Sequence, residues 1–406
     1  MRSFQLPNYY SSEIIESARK IRDKYDPKKK DISPTIIKLK GLEFYIGRHF
    51  GFCYGVKNAI EICYKALKVY PKSKIYLLSE MIHNQLVNND LLQNGISFIM
   101  DTMGNQLISW DKIKKEDIII IPAFGTSLEI LEILKKKQIS IHKFDTTCPF
   151  VSKVWNRSEL LAKQGYTIII HGKAKHEETR STFSRCRKHG PSIIVENIDD
   201  VNELCKIIRN KNQNKFLSIF QNKCSNSFNI DRDLIKIGVV NQTTMLASET
   251  KKIINKFKDT YSLLYGDSTK HVANTRDTLC YATNENQDST LELLKHKADL
   301  SIIVGGYNSS NTSHLVELSS KKIPTYFINS EKNIKNNTIR HFDLKLKKMV
   351  LKENFLPQES CKIILTSGAS CPDVILEKIM NKIVKIRRQK LSKEEVLNTL
   401  EKYYKK

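Results

Sequence analysis

Short apolar runs alternate with helical patterns along most of this chain, and this alternation limits the possible folds more than any other feature. The run DIIIIP (117–122), rich in β-branched residues, precedes a helical stretch at 127–137, and YTIIIH (166–171) precedes further charged and polar segments. Alternation of this kind is typical of largely parallel sheets covered by helices. At about 100–200 residues per domain, the 406 residues correspond to more than one such domain. We therefore predict an α/β fold with several α/β domains.

The same patterns predict the individual elements. The predicted strands cover 42–47, 74–78, 117–122, 139–144, 166–171, 192–195, 235–240, 300–306, 325–329 and 362–367. The predicted helices cover 12–24, 55–69, 127–137, 151–164, 248–261, 288–296 and 373–387. The Lys- and Asn-rich stretch 207–232 is expected to be a surface insertion. These boundaries divide the chain into an N-terminal extension (1–40), three α/β domains (41–147, 148–262 and 263–388) and an exposed C-terminal helical tail (389–406).

The charge balance narrows the choice of partners. The chain carries 67 Lys and Arg against 43 Asp and Glu, a formal net charge of +24, which favours acidic partners. The lysines are scattered, and no Arg-rich stripe with interleaved aromatic residues is present, so we expect no nucleic-acid partner. No apolar run approaches the ~20 residues that cross a bilayer, so we expect no membrane partner. The N-terminal stretch lacks an apolar core and contains acidic residues, which predicts the cytoplasm rather than the plastid stroma.

Nine cysteines are spread along the chain without a CxxC pair. An odd number of widely spaced cysteines, in a chain without a secretion signal, argues against a disulfide framework. The lack of a CxxC pair argues against the usual zinc-ribbon and ferredoxin sites. Any metal site must therefore gather single cysteines from distant parts of the chain.

Cys53, Cys148 and Cys280 share one context, because each stands just before a helical stretch. A helix N-terminus stabilises thiolates and anionic sulfides, and the ends of strands are where open α/β sheets bind ligands. Three such units around a pseudo-threefold axis would aim three thiolates at one point. Because a fully protein-bound [4Fe-4S] cluster takes four cysteines, three of them would leave one iron open. The cysteines without this context are interpreted as small buried hydrophobic residues: Cys63, Cys186, Cys205, Cys224, Cys361 and Cys371.

Three loops rich in small polar residues each follow a predicted strand. They are NQTTM (241–245), NSSNTSH (308–314) and SGASCPD (367–373). Hydroxyl and amide side chains with accessible backbone N–H groups are the usual uncharged binders of oxyanions. Taken singly, such clusters are more often helix caps or turns. Together, at the ends of several strands, they favour one polyanionic ligand.

Two further segments carry ionisable side chains after strands. HGKAKHEET (171–179) places His176 and Glu178 two residues apart, where they are suited to act as an anion ligand and a proton donor in one pocket. The alternative is a solvated charged turn. His83, in SEMIHNQLV, stands near a predicted helix start, where a packing or capping role is the alternative.

These segments together resemble one known family. GFCYGV, IHN, DTTCP, HGKAKHEE, NQTTM, TLCYAT, NSSNTSH and TSGASCPD occur in the order and approximate spacing of the 4-hydroxy-3-methylbut-2-enyl diphosphate reductases (the IspH/LytB family). The resemblance covers about residues 42–387, and it is specific because some eight motifs coincide in order. The N-terminal extension and the PAFG segment resemble the longer plant and cyanobacterial branch.

The resemblance implies a trefoil of three pseudo-symmetric α/β domains around a central [4Fe-4S] cluster with one open iron. By the same likeness, Cys53, Cys148 and Cys280 hold the cluster, and Glu178, assisted by Thr243, delivers a proton to the leaving hydroxyl group. The implied reaction is the two-electron conversion of 4-hydroxy-3-methylbut-2-enyl diphosphate to isopentenyl and dimethylallyl diphosphate. The residues that would contact the diphosphate are His83, His176, Ser309, Ser310, Asn311 and Ser370.

One position departs from the shorter bacterial branch, which has a histidine where this chain has Phe124 in PAFG. A phenylalanine ring cannot donate a hydrogen bond to a diphosphate, so one anion contact is expected to be missing or replaced. The longer branch shares PAFG, so we interpret the difference as one of lineage.

Three alternatives remain at this point. A dehydratase such as quinolinate synthase would use a similar three-cysteine cluster but would leave the HEE and NSSN segments unexplained. A basic nucleic-acid-binding protein with incidental cysteines would be colourless, and its RNA affinity would fall steeply with salt. A pure electron carrier would need a fully ligated cluster and would leave Glu178 without a role. For the reductase we expect an acidic electron donor such as ferredoxin or flavodoxin, and a monomer or homodimer.

Overall fold

The structure, a computed structural model, describes residues 4–275 and 278–405. Its strands are β1 (Thr35–Leu39), β2 (Leu42–Ile46), β3 (Ile75–Leu77), β4 (Ile96–Phe98), β5 (Ile118–Ile120), β6 (Thr167–His171), β7 (Ser192–Val195), β8 (Ile237–Asn241), β9 (Leu300–Val304), β10 (Thr325–Ile328), β11 (Ile334–Lys335), β12 (Thr338–Asp343), β13 (Lys348–Glu353) and β14 (Cys361–Ser367).

Helices separate many of these strands along the chain. They are α1 (Glu13–Tyr25), α2 (Tyr54–Val69), α3 (Gln85–Gln93), α4 (Leu128–Lys136), α5 (Pro149–Lys163), α6 (Glu177–His189), α7 (Ile198–Asn210), α8 (Gln213–Phe220), α9 (Ile230–Asp233), α10 (Ala247–Tyr265), α11 (Tyr281–Leu293), α12 (Ser310–Ser320), α13 (Asp373–Ile386) and α14 (Lys393–Tyr404).

The chain forms two compact units. The first contains Met1–Lys57, His83–Leu86 and Tyr281–Lys406, and the second contains Asn58–Ile82 and Val87–Cys280. The predicted division into an extension, three domains and a tail is not tested by this grouping and stays a prediction.

The first unit is built on a five-stranded sheet in the order β1-β2-β14-β9-β10. Strand β1 is antiparallel to β2, and the other neighbours are parallel. Helix α13 covers this sheet because its apolar residues recur every three or four positions and form one buried stripe. Burial of each such isoleucine or leucine side chain stabilises the unit by about 1.5–3 kcal/mol. A separate antiparallel sheet, β11-β12-β13, belongs to the same unit.

The second unit contains two parallel three-stranded sheets, β4-β3-β5 and β7-β6-β8. The strands of the latter are buried throughout, which explains why they appear in the sequence as continuous apolar runs. The predicted α/β class, with three helix-flanked sheets that contain parallel strands, is therefore confirmed.

Three sequence-based expectations about elements were wrong. Residues 139–144 were expected to form a strand, but the chain makes a single 3-10 turn at His142–Phe144. The helix expected at 288–296 is α11, which begins directly after Cys280. The stretch 207–232 is not a surface insertion, because the rings of Phe216 and Phe220 lie in the core of the second unit. Its Lys and Asn residues are mostly exposed, on short helices and the turns between them. The high content of these polar residues therefore gave no indication of the buried aromatic rings.

The two ends of the chain pack together more closely than the sequence indicated. In α14, expected to be exposed, Val396 and Leu400 are buried in the same core as Ile14 and Ile15 of α1. Residues 35–39, assigned to the extension, form strand β1 of the main sheet. The amphipathic pattern of α1 was read correctly, and Ser12 caps the helix by accepting a hydrogen bond from the backbone N–H of Ile15.

Candidate active site

In the first unit, Cys53 stands between strand β2 and helix α2, one residue before the helix begins. Its backbone N–H donates to the carbonyl oxygen of Ala369 at 3.1 Å. Burial raises the pKa of the Cys53 thiol, and hydrogen bonds from the backbone N–H groups of Val56 and Gly55 oppose that rise. These two N–H groups belong to the first turn of α2, so they would stabilise a thiolate or a thiolate-bound metal.

Ser309, Ser310 and Asn311 lie at the N-terminus of α12, directly after the loop that follows β9. Ser309 caps the helix, since its side-chain oxygen accepts from the backbone N–H of Thr312 at 3.3 Å. The side-chain oxygen of Asn311 accepts from the backbone N–H of Ala369 at 3.0 Å. All three predicted residues are buried. A helix N-terminus with buried, uncharged donors is suited to an oxyanion.

His83 and Ser370 are also brought together in this unit. The Ser370 hydroxyl donates to the backbone oxygen of His83 at 3.3 Å. A Cβ on Gly306 would stand only 2.2 Å from that same oxygen, so the loop after β9 approaches His83 as closely as a glycine allows. The segment around Ala369 and Ser370 therefore contacts Cys53, Asn311 and His83, and it places the predicted anion-binding residues of the first unit beside one predicted cysteine ligand.

In the second unit, the Glu178 carboxylate is bound by Thr243. One carboxylate oxygen accepts from the backbone N–H of Thr243 at 2.6 Å, and the other accepts from the Thr243 hydroxyl at 2.9 Å. Glu178 is 1% exposed, so the carboxyl group is almost completely removed from bulk water. The predicted pair is thus formed, with Glu178 on the first turn of α6 and Thr243 in the loop after β8.

Both predicted cysteines of the second unit are joined to neighbouring loops through their backbones. The N–H of Cys280 donates to the carbonyl of Thr243 at 3.2 Å, and the N–H of Cys148 donates to the carbonyl of Ala123 at 3.0 Å. Cys148 is the residue before the first turn of α5, and Cys280 directly precedes α11. The expectation that each cysteine precedes a helix is confirmed for all three residues.

The orientation of His176 follows from its position as the N-cap of α6. Its Nδ1 accepts a hydrogen bond from the backbone N–H of Glu178 at 3.2 Å. A neutral imidazole that accepts at Nδ1 carries its proton on Nε2, so its Nε2 is a donor. The ring of Phe124 packs edge-to-face against it, with 5.4 Å between centroids and 83° between planes.

Two residues that the sequence did not single out hold these groups in place. The buried Gln242 side chain accepts from the backbone N–H of Lys173 and from the Thr179 hydroxyl, each at 3.1 Å. It therefore connects the loop that carries Thr243 with the helix that carries Glu178. The buried Asn286 donates to the Asn311 side-chain oxygen at 3.3 Å. Gln242 could have been suspected from its place in NQTTM, but Asn286 stands a turn and a half into α11 and has no local signal.

The other cysteines are mostly in apolar surroundings. Burial raises the pKa of Cys186 to about 12 and that of Cys361 to about 11, so both remain thiols at neutral pH. Cys224, expected to be buried, is instead partly exposed. Within the described part of either unit, no three His, Cys, Asp or Glu side chains are grouped so as to hold a single metal ion. Among the described helices, none has the length and apolarity that a membrane span requires.

Comparison with known proteins identifies a matching family and several similar proteins. The family described as "LytB protein" matches residues 45–384 of this chain. The chain is similar to the 4-hydroxy-3-methylbut-2-enyl diphosphate reductase of Rippkaea orientalis, with 41% identity over 85% of each chain. It is also similar to the enzyme of that name from Prochlorococcus marinus subsp. pastoris, with 37% identity over 95% of this chain and 94% of the relative.

Two solved structures resemble the fold. One is of (E)-4-hydroxy-3-methyl-but-2-enyl diphosphate reductase, described as the terminal enzyme of the non-mevalonate pathway, with 26% identity, a TM-score of 0.51, and coverage of 84% of this chain and 98% of that one. The other is the E-1-hydroxy-2-methyl-but-2-enyl-4-diphosphate reductase from Plasmodium falciparum, with 28% identity, a TM-score of 0.62, and coverage of 86% and 89%.

Proposed function

This chain belongs to the LytB family of 4-hydroxy-3-methylbut-2-enyl diphosphate reductases, and from that premise we propose which of its residues bind the cluster, bind the substrate and move the proton. The chain reduces 4-hydroxy-3-methylbut-2-enyl diphosphate to isopentenyl and dimethylallyl diphosphate, the last step of the non-mevalonate pathway. The observation that carries this conclusion is the 37% identity to such a reductase over 95% of the chain. The dehydratase, nucleic-acid-binding and electron-carrier alternatives are set aside on the same ground.

Cys53, Cys148 and Cys280 are proposed to hold a [4Fe-4S] cluster through three thiolates. The support is the chemistry of the donor set, because each cysteine directly precedes a helix whose first-turn N–H groups favour negative charge on sulfur. When bound, such a cluster supplies the two reducing electrons and a Lewis-acidic iron for the substrate hydroxyl. The remaining cysteines are proposed to have no ligand role.

The diphosphate is proposed to be bound by His83, His176, Ser309, Ser310, Asn311 and Ser370. Three kinds of donor are represented in this set: imidazole Nε2–H, hydroxyl groups and a side-chain amide. The Asn311 amide is already oriented, because its oxygen accepts from the backbone N–H of Ala369 and its NH₂ group donates to the Thr283 hydroxyl at 3.5 Å. An NH₂ group has two N–H donors, so one bond to Thr283 leaves a second for the anion. Uncharged donors suit a ligand whose negative charge does not change during the reaction, since they bind substrate and product alike.

Glu178 is proposed to donate the proton that turns the substrate hydroxyl into water. The Thr243 backbone and hydroxyl hold both carboxyl oxygens, which fixes the side chain on the buried first turn of α6. A general acid that has given up its proton becomes a carboxylate, and the two Thr243 donors are placed to stabilise that product. Thr243 positions Glu178 and does not itself supply the proton. Its hydroxyl can donate a hydrogen bond to Glu178, or accept one when Glu178 is protonated.

An acidic protein such as ferredoxin or flavodoxin is proposed as the electron donor, because the net charge of +24 would attract it. We also propose a cytoplasmic location, supported by the bacterial origin of the similar reductases, and a monomer or homodimer. For the domain organisation, we keep the extension, the three α/β domains and the tail as bounded from the sequence.

The proposed function is tested by an activity assay under anaerobic conditions. The protein is reconstituted with iron and sulfide, and consumption of 4-hydroxy-3-methylbut-2-enyl diphosphate is followed with a reduced viologen as donor. Formation of the two five-carbon diphosphates is expected. A brown, iron-containing protein that leaves the substrate unchanged would contradict the assigned reaction, and a protein that takes up no iron would contradict the three-cysteine ligand set.

A further inference from the structure

Phe124 contacts His176, which is proposed to bind the diphosphate, although the Phe124 side chain itself has no hydrogen-bond donor for an anion. Its ring lies edge-to-face on the ring of His176, with 5.4 Å between centroids and 83° between planes. Both residues are half-buried, so this contact is made at a site that solvent and ligands can reach. Edge-to-face aromatic pairs have a preferred geometry and stabilise it beyond the area that they bury.

The backbone of the Phe124 loop is fixed by hydrogen bonds. The Ser181 hydroxyl donates to the carbonyl of Phe124 at 2.9 Å, and the Arg185 guanidinium donates to the carbonyl of Thr126. Both donors are on α6, the helix that His176 caps. Phe124 and His176 are therefore attached to the same rigid element, one through the loop and one through the helix N-terminus.

Packing against Trp155 fixes the same loop from another side. Gly125 has a φ of +72°, and a Cβ at this position would stand 2.5 Å from the Trp155 ring. The Arg185 guanidinium lies 3.5 Å from the centroid of that ring, and the indole N–H donates to the Thr182 hydroxyl at 3.1 Å. Only a glycine permits this approach, so the loop has little freedom to move Phe124 away from His176.

From these contacts we propose that Phe124 is a positioning residue, which holds the His176 ring so that its Nε2–H donor is ready for the diphosphate. The inference rests on the proposed function, because it takes His176 as a diphosphate ligand. The ring of His176 has one fixed atom, Nδ1, which accepts from the Glu178 N–H. The packed ring of Phe124 would limit rotation of the imidazole, so less conformational entropy would be lost when the anion binds.

The same loop contacts a proposed cluster ligand, because the carbonyl of Ala123 accepts from the N–H of Cys148 at 3.0 Å. A change in the loop backbone would therefore disturb the cysteine as well as the histidine. A change confined to the Phe124 side chain would disturb only the histidine. This difference separates a positioning role from a general structural role, and it determines the choice of variants.

The test measures binding of inorganic pyrophosphate to the anaerobic, iron-loaded enzyme by calorimetry, together with KM and kcat for the substrate. Phe124→Leu is expected to weaken pyrophosphate binding and raise KM by about three- to tenfold, the range of one aromatic pair. The value of kcat should change less than twofold, because Glu178 and Thr243 are not touched. Phe124→Tyr, which keeps the ring, should restore both constants to within twofold of the wild type.

The decisive comparison is the double variant. In a His176→Ala background, Phe124→Leu is expected to have less than a twofold effect, because Phe124 acts only through the histidine. Phe183→Leu, an aromatic truncation about two turns further along the same helix, is the matched control and should leave binding unchanged. Iron content and the thermal unfolding midpoint are measured for each protein, and Phe124→Met replaces Phe124→Leu if the latter loses iron.

Several results would overturn the inference. The inference is wrong if Phe124→Leu binds pyrophosphate as tightly as the wild type. It is also wrong if Phe124→Leu weakens binding by the same factor in the His176→Ala background as in the wild type. A loss that Phe124→Tyr fails to rescue would also contradict it, since the tyrosine keeps the ring edge. A wild-type enzyme that neither binds pyrophosphate nor turns over would instead overturn the proposed function, and the inference with it.

Discussion

Thr243 binds both oxygens of the Glu178 carboxylate, one through its backbone N–H at 2.6 Å and one through its hydroxyl at 2.9 Å. Its own carbonyl accepts from the N–H of Cys280 at 3.2 Å. One residue therefore joins the proposed proton donor to a proposed cluster ligand through a short stretch of backbone.

Glu178→Gln should abolish most of the turnover while the cluster and substrate binding remain. The amide keeps the shape of the side chain and its contacts but cannot donate a proton as an acid, and general acid catalysis contributes about 10²–10⁴-fold. The measurement is kcat, with iron content and pyrophosphate affinity determined in parallel. Glu159→Gln, at an exposed position paired with Lys163, is the control. Full activity of Glu178→Gln would remove Glu178 from the mechanism.

Thr243→Val should lower kcat by about tenfold, because it removes the hydroxyl bond to Glu178 but leaves the backbone bond in place. A hydrogen bond to a charged group contributes about 1.5–3 kcal/mol, and part of this is retained by the remaining N–H. Thr243→Ser keeps the hydroxyl and should stay within threefold of the wild type. Equal activities of the valine and serine variants would mean that the hydroxyl has no role.

Replacement of any one of the three proposed cluster ligands should remove or degrade the cluster. Cys280→Ser is the most informative, because its N–H bond to Thr243 does not involve the thiol. Cys186→Ser is the control, since Cys186 is 1% exposed and far from neutral-pH ionisation. Iron and sulfide content and the visible absorption of the anaerobic protein are measured. Similar iron loss in both variants would contradict the three-ligand assignment.

Arg22→Met should destabilise the first unit by about 2 kcal/mol. Arg22 is 2% exposed and donates to the Tyr404 hydroxyl at 2.6 Å and to the Asp31 carboxylate at 3.0 Å, so it joins α1 to α14. Its loss leaves acceptors without their charged donor, and hydrogen bonds to charged groups contribute about 1.5–3 kcal/mol each before relaxation. The measurement is the midpoint of denaturant unfolding, with the exposed Lys20→Met as control. An unchanged midpoint would mean that the packing of the two helices does not depend on Arg22.

His49 should make the protein less stable as the pH falls. Burial, together with the charges of Arg48, Lys29 and Arg19, lowers the pKa of His49 from 6.5 to about 4, and Asp23 opposes this shift. The Glu285 carboxylate, 3.4 Å from His49 Nδ1, also opposes it. Between about pH 6.5 and about pH 4, His49 is protonated in the unfolded chain but neutral in the folded protein. The free energy of unfolding therefore falls as the pH is lowered through this range. His49→Asn should reduce the loss between about pH 7 and about pH 5 by about 1 kcal/mol, a value discounted for the partial exposure of the ring.

The control for this pH dependence is His189→Asn, at a partly exposed position near Glu159. The free energy of unfolding is measured at both pH values for the wild type and the two variants. If His49→Asn and the wild type lose the same stability on acidification, the low pKa of His49 is not the cause.

The sequence by itself determined the fold class and the proposed membership of the site. The period of the apolar runs is a local property, so β6, β7 and β9 could be assigned from single segments. The order of the motifs, through the family resemblance, supplied every residue of the proposed site, and most of them stand near the end of a strand or the start of a helix. The capping role of Ser309 agrees with the alternative that such Ser-rich loops are helix caps, although no helix was predicted at 310–320.

Only the tertiary structure decided which of these residues touch and which residues support them. The bonds of Glu178 with Thr243 and of Ala369 with Cys53 join segments that are far apart in the chain, and no local pattern encodes their geometry. The burial of α14 and of the 207–232 stretch was missed for the same reason, since whether an amphipathic helix packs against a core depends on what lies opposite it. The contact between Phe124 and His176 is of this kind: the sequence indicated that a histidine was missing, and the fold determined what the phenylalanine contacts instead.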